Sequence, residues 1–278
     1  YENGFENFIN LLKELQDENF DMAVVPSAVV FSATNHLIAH YSKARIKVGA
    51  ASINNLDNKA SSTLNIKSHF MWDTKKTHQI ERNLDIIRQL NINPPETKII
   101  IELTSEQKEY ADTFITENFG NSNKLLIAFH PGAAKQDNVW PAENFAELAN
   151  NLNDKYNIDL IISEGPDDEK YVRKLESLLK ERYSHIRFVK HKGKLMDNAA
   201  VINKCSLLIT NDTGITHLVS GMCVPIIALF GPTDAKIWGP IGENKISIQS
   251  AEENIQKIKV EYVHETAIKV LNISKIAE

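Results

Sequence analysis

The sequence predicts an α/β protein built on parallel sheets, and three observations carry that prediction. From residue 124 onward, short apolar runs alternate strictly with segments of helical periodicity, five strands with four helices between them. Runs such as "KLLIAF" (124–129) are apolar throughout, the pattern of a strand covered on both faces. Polar, glycine-bearing turns follow several of these strands, which is where an open parallel sheet gathers its ligands. Strict alternation of strand and helix calls for right-handed crossovers between parallel neighbours.

In chain order, "YENGFENFINLLKELQDENFDMAVVP" reads as a helix, with Phe5, Phe8, Ile9, Leu12 and Leu15 at helical spacing, running into a strand at Met22–Val25. A helix over 29–44 and a strand over 45–50 follow, then a polar loop over 54–65. Residues 77–92 form a helix with Ile80, Leu84, Ile87 and Leu90 on one side, and Pro94-Pro95 stops it. "SEQKEYADTFITENFG" leads to a polar hinge at 120–124, where the sequence places a domain boundary. Beyond the strand at 124–129, Pro141 suits the first turn of a helix, continued by Phe145, Leu148, Ala149 and Leu152. Strands at 157–163, 186–190, 206–210 and 225–230 enclose helices at 165–183, 195–205 and 213–222. The first of these helices opens on acids, which a helix dipole favours.

Composition narrows the function. The 278 residues suffice for one large domain or two ordinary ones, and 42% apolar with 24% charged residues is the balance of a soluble globular protein. A formal charge of −5 provides no field for non-specific nucleic-acid binding, although "VKHKGK" (189–194) is locally basic. No apolar run approaches the roughly 20 residues of a spanning helix. Cys205 and Cys223 lack metal-ligand spacing and suit small core positions in a reducing cytoplasm. The chain opens at Tyr1 without a signal-peptide pattern, so the first domain is read as incomplete.

Three loops at strand ends carry candidate chemistry. The strongest is Asn211–Gly214: Asp212 follows a strand directly, Thr213 and Gly214 open a helix, and His217 lies one turn in. A helix start offers unpaired N–H groups and partial positive charge, and glycine lets an anion approach the backbone. A phosphate or diphosphate fits there; the alternative is that Asp212 or Thr213 merely caps the helix. The second loop, "HPGAAKQDNVWP", has small residues at 132–134 and a cation at Lys135. The third, "GPTDAKIWGP" (231–240), carries Thr233 and Lys236. His36 and His40 stand one turn apart, a zinc spacing, but no third ligand is visible and no metal is expected. Gly-x-Ser-x-Gly, Gly-Lys-Ser/Thr and Gly-x-Gly-x-x-Gly fingerprints are missing.

The order "HPGA…WPAENFAELA", "GPDDE", "NDTGITHLVSGMCVPIIALFGPTD" and "EYVHETAIKVL" resembles glycosyltransferase family 9, the bacterial lipopolysaccharide heptosyltransferases. The match covers most of 124–273, with weaker echoes in "FDMAVVP", "ARIKVG" and "HQIERNLDII". The resemblance implies a GT-B architecture of two Rossmann-like domains with parallel sheets facing a cleft. It implies an acceptor-side domain over 1–120, a nucleotide-sugar domain over 121–260 and a terminal helix over 261–278 that packs back on the first domain. It also implies an inverting, metal-free transfer of a sugar, often heptose from ADP-heptose, to a lipopolysaccharide-core or related glycan acceptor. No cofactor is implied. The setting would be the cytoplasm, with peripheral contact to the inner membrane through the glycolipid acceptor.

By the same resemblance, Asp212, Thr213, Gly214 and His217 hold the diphosphate and sugar, with Ala133 and Ala134 at positions where hydroxyl residues often bind phosphate. Backbone around Gly193, Lys194 and Leu195 faces the base, and an acid near Asp168 the ribose. Asn138 stands where the family commonly has Lys, a role Lys135 would take over. The general base is expected upstream of Tyr1, leaving Asp212 and Lys135 as the in-chain catalytic candidates. Two rival readings stay open: a nucleotide-sugar binder without turnover, and a GT-B-like sugar-nucleotide epimerase.

Overall fold

A computed structural model describes residues 2–276, which divide into two compact units between Thr97 and Lys98. The first unit runs α1 (Glu2–Asp17), β1 (Met22–Val24), α2 (Ala33–Tyr41), β2 (Ile46–Ile53), β3 (Leu56–Asp57), β4 (Ile66–Phe70) and α3 (Gln79–Arg88). β2 is central, parallel to β1 on one side and to β4 on the other, with β3 folding back antiparallel on its end. The expected polar loop over 54–65 thus contains a hairpin. Asn54 and Asn55 both take positive φ (48° and 65°), which asparagine tolerates and which a two-residue turn between paired strands requires. β4 is absent from the sequence reading because "IKSHF" has three consecutive polar residues between Ile66 and Phe70, neither a continuous apolar run nor an apolar–polar alternation, although its burial alternates. A small core of Ala28, Val48, Trp72 and Ile86 closes this unit. His36 is buried, with its ring nitrogens 2.8 Å from Thr63 Oγ1 and 3.0 Å from Asn58 Nδ2. Burial holds its pKa below the usual histidine value, so it is a satisfied core side chain.

The second unit begins with α4 (Ser105–Phe119), entered through a reciprocal capping box between Thr104 and Gln107. It continues as β5 (Leu125–His130), α5 (Ala142–Tyr156), β6 (Ile158–Ser163), α6 (Glu169–Arg182), β7 (Arg187–His191) and α7 (Leu195–Ile202). β8 (Leu207–Asn211), α8 (Gly214–Ser220), β9 (Ile226–Phe230), α9 (Ala235–Trp238), β10 (Lys245–Gln249) and α10 (Val260–Ile276) complete it. All six strands are parallel, in the order β10-β9-β8-β5-β6-β7. The five strands read from sequence are present; β10 is a sixth, at the edge, where half-wet "KISIQ" lacks the continuous apolar run of its neighbours.

The unit boundary falls earlier than the hinge at 120, and packing explains why. α4 sets Ala111 and Phe119 into the same buried cluster as Ala199, Val201 and Ile202 of α7. Ahead of α4, Ile101 N–H donates to the Gly221 carbonyl at 3.0 Å. A side chain at Gly221 would collide with Ile101 Cγ1 at 2.6 Å and Ile99 Cγ2 at 2.8 Å, so its glycine makes room for this stretch. Under the opposite sheet face, α10 contributes Val263, Ala267, Val270 and Leu271 to a core shared with Phe145, Leu148 and Leu152 of α5. Each buried Val, Leu or Phe among these contributes roughly 1.5–3 kcal/mol relative to exposure.

Candidate active site

From β5 the chain winds outward through β6 and β7, then returns to the other flank of β5 as β8. Two adjacent strands whose connections depart in opposite directions leave a crevice at their carboxyl ends, the usual ligand position in an open parallel sheet. The loop after β5 and the turn after β8 meet here. Asn211, fully buried, stitches them: its Nδ2 donates to Pro131 O (2.9 Å) and Gly132 O (3.3 Å), and its Oδ1 accepts from Trp140 N–H (3.1 Å). The hydroxyls of Thr210 and Thr216 donate to the Asn211 carbonyl at 3.0 and 2.9 Å, setting the backbone of the turn.

Asn138 joins all three loops singled out in the sequence. Its Nδ2 donates to Asp212 Oδ2 at 3.0 Å and to Thr233 Oγ1 at 3.4 Å. His217 Nε2 lies 4.0 Å from the other Asp212 oxygen, with the His217 side chain 42% exposed and that of Asp212 11%. Asp212 and Asn138, two residues before Trp-Pro where the family commonly has Lys, are therefore neighbours, joined through an amide where a lysine would form an ion pair. Ala133 is buried, whereas Ala134, Lys135 and Lys236 are exposed. Lys135 stays on the outer part of its loop, beside the short helical turn Gln136–Asn138.

The capping alternative for the Asp212–Gly214 turn does not hold. Thr213, the residue at the cap position, is extended (φ −154°, ψ 164°) and makes no side-chain bond to the helix. Asp212 is occupied by Asn138. Among the described residues, a Cβ added at Gly214 would meet no heavy atom within 4 Å, so the start of α8 is open. First-turn N–H groups of a helix have no intrahelical partner, and here none receives a side-chain cap from Thr213.

Two further loops complete the edge. Gly193 is needed for packing, because a Cβ there would sit 2.9 Å from His191 Cε1. It leads to Lys194 at the α7 cap position and to Leu195, which is 61% exposed and shows an apolar surface at the sheet edge. His191 itself is buried, with Asn198 Oδ1 3.1 Å from Nδ1, Tyr110 Oη 3.1 Å from Nε2 and the Phe114 ring edge-on at 4.6 Å. Burial lowers its pKa against the opposing pull of Asn198 and Asp197. Beside it Glu164 is buried between Lys192 (2.7 Å) and Lys190 (3.3 Å). Burial would raise its pKa, but the two lysines outweigh that and hold it below the ordinary carboxylate value.

Asp168, near which the resemblance places the acid that meets the ribose, faces the interior. Its carboxylate turns inward, only 9% exposed; Oδ2 accepts from Gly165 N–H at 2.8 Å and lies 3.2 Å from His130 Nε2. His130 Nδ1 in turn lies 3.0 Å from Ser163 Oγ. Sequence reasoning missed this cluster, together with His191 and Glu164. The one visible signal is a set of polar residues closing otherwise apolar strands.

The family model for glycosyltransferase family 9 (heptosyltransferase) matches residues 8–267. Lipopolysaccharide heptosyltransferase 1 of Escherichia coli (strain K12) is 26% identical over 255 residues, covering 90% of this chain and 73% of that protein. Among solved structures, the family 9 glycosyl transferase from Veillonella parvula DSM 2008 aligns with a TM-score of 0.78 at 21% identity, covering 98% of this chain and 79% of that one. The E. coli ADP-heptose lps heptosyltransferase II aligns with a TM-score of 0.76 at 18% identity, covering 98% of this chain and 82% of that one. These likenesses establish the GT-B type of fold. The family match runs through both units and contains the Asp212–Gly214 turn and the loop that Asn211 ties to it; this chain belongs to glycosyltransferase family 9, the heptosyltransferases.

Proposed function

We propose that this protein transfers a heptose from a nucleotide-diphosphate donor, ADP-heptose, to a lipopolysaccharide-core acceptor, with inversion at the anomeric carbon. The observation that carries the reading is the open start of α8, uncapped by Thr213, beside the Asn138–Asp212–Thr233 cluster. The diphosphate sits on the N–H groups at 213–215, which are already oriented toward the charge that grows on the leaving phosphate as the glycosidic bond breaks. Asp212 accepts hydroxyls of the sugar, His217 adds a donor one turn along, and Leu195 with the Gly193 turn faces the base. Lys135 on the loop after β5 and Lys236 in α9 are both exposed and draw the dianion in. Among the described residues no helix is long and apolar enough to cross a membrane; contact with the cytoplasmic membrane face comes through the acceptor's lipid.

Calorimetric titration with ADP, UDP and GDP tests the donor site. ADP is expected to bind, and Gly214→Val to weaken it at least about tenfold, roughly 1.4 kcal/mol. Gly214→Ala tests the fold separately: the added methyl meets nothing, and exchanging glycine for alanine in a helix gains up to about 1 kcal/mol, so the thermal midpoint holds or rises. A folded Gly214→Val protein with undiminished ADP affinity sinks the site. Asn138, in the place of a lysine, favours a second reading, a binder without turnover. Mass-spectrometric detection of heptosylated acceptor decides between the two.

A further inference from the structure

We infer that Asp168 is a positioning residue for the donor's diphosphate, acting through Gly132, and not a ligand of its ribose. This rests on reading the β5–β8 crevice as the donor site. The carboxylate fills a hole that two glycines leave. A Cβ at Gly132 would lie 1.9 Å from Asp168 Oδ1 and 2.0 Å from its Cγ, and one at Gly165 would lie 2.5 Å from Oδ2. No other residue type fits at 132 while Asp168 stays in place. The same Oδ2 accepts the Gly165 N–H and faces His130 Nε2.

The protonation pattern is self-consistent. Burial pulls the His130 pKa down while Asp168 opposes that pull, so the ring is neutral near pH 7. With its proton on Nε2, His130 donates to Asp168 and accepts from the Ser163 hydroxyl at Nδ1. One buried carboxylate thereby bolts together the end of β5, the end of β6 and the start of α6.

The consequence for the donor follows from what holds Gly132 on its other side. The Gly132 carbonyl accepts from Asn211 Nδ2 at 3.3 Å, and that of Pro131 from the same amide at 2.9 Å. Residues 130–132 are thus clamped between Asp168 and Asn211. Asn211 directly precedes Asp212, and the loop that starts at Gly132 delivers Asn138 to Asp212. Removing the Asp168 carboxylate strands the buried His130 N–H and the half-buried Gly165 N–H and takes away the backing of Gly132, so the loop can shift toward the vacated space.

The test compares wild type, Asp168→Ala and Asp168→Asn in binding of ADP and of 2′,3′-dideoxy-ADP, and in transfer kinetics with ADP-heptose. Asp168→Ala is expected to weaken both nucleotides by the same factor, about tenfold or more. Asp168→Asn, which can keep an oxygen facing Gly165 N–H and His130, stays within about threefold of wild type for both. In kinetics the alanine variant raises donor KM with kcat and acceptor KM held within about threefold. Were Asp168 a ribose ligand, its loss would vanish with the dideoxy nucleotide, overturning the inference. Equal damage to donor and acceptor KM, with a lowered midpoint that asparagine does not rescue, overturns it in favour of a purely structural part. Wild-type protein that binds no ADP removes the donor-site reading itself, an outcome visible before any variant is compared.

Discussion

Asp212→Ala lowers kcat/KM for heptosyl transfer by about a hundredfold or more, read from product formation with ADP-heptose, while the thermal midpoint moves by only a few degrees. The large effect has two parts. A charged hydrogen bond to a substrate hydroxyl is worth about 1.5–3 kcal/mol. Asp212 is also the acceptor that holds Asn138 at 3.0 Å, so its removal frees the loop after β5 at the point where that loop meets α8. Loss of alignment adds to loss of contact. Stability changes little because Asp212 is one neighbour of a partly open cluster, and its main-chain N–H still donates to Leu229 O at 3.1 Å. Asp212→Asn separates the parts: it keeps the shape but replaces an acceptor facing the Asn138 amide. Activity within threefold of wild type in the alanine variant would remove Asp212 from the site.

Trp140→Ala has the largest expected effect on stability. The indole is fully buried, meets Phe145 edge-on at a centroid distance of 4.9 Å and donates its N–H to Ile258 O at 2.9 Å. Truncating such a side chain costs about 3–5 kcal/mol, and the orphaned Ile258 carbonyl adds about 1–3 kcal/mol. Each kcal/mol moves the midpoint of a unit this size by about 2–4 °C, so calorimetry should show a drop of roughly 10 °C or more. Trp140→Phe keeps most of the volume and loses the bond, and should fall well short of that drop. Because the indole anchors the loop after β5 to Ile258, the alanine variant should also bind ADP more weakly. A midpoint lowered by less than about 2 °C would contradict the packing described here.

The same two residues show how unevenly the molecule was legible. Trp140 reads from sequence only as an aromatic before Pro141; that it ties the β5 loop to Ile258 depends on an apposition 118 positions apart. Strands β5, β6, β8 and β9 were plain because burial on both faces leaves continuous apolar runs. β4 and β10 were not, since a half-wet strand in "IKSHF" or "KISIQ" dilutes that pattern with polar residues. The boundary misled for a related reason: "GNSNK" looks like a hinge, but α4 before it belongs with α7 by packing, and packing has no local signature.

Local chemistry determined the rest of what the sequence could announce. Asp212, Thr213 and Gly214 after a buried strand mark a helix start suited to an anion, because strand ends, helix polarity and glycine's small size are properties of neighbouring residues. The tertiary structure alone decided that one amide, Asn138, would join Asp212 to Thr233, bonds spanning 74 and 95 positions. It alone decided that Asp168 would face inward. An acid at a helix start can point to water or to the interior, and only the space left by Gly132 and Gly165, brought together by the pairing of β5 with β6, makes the interior the better place.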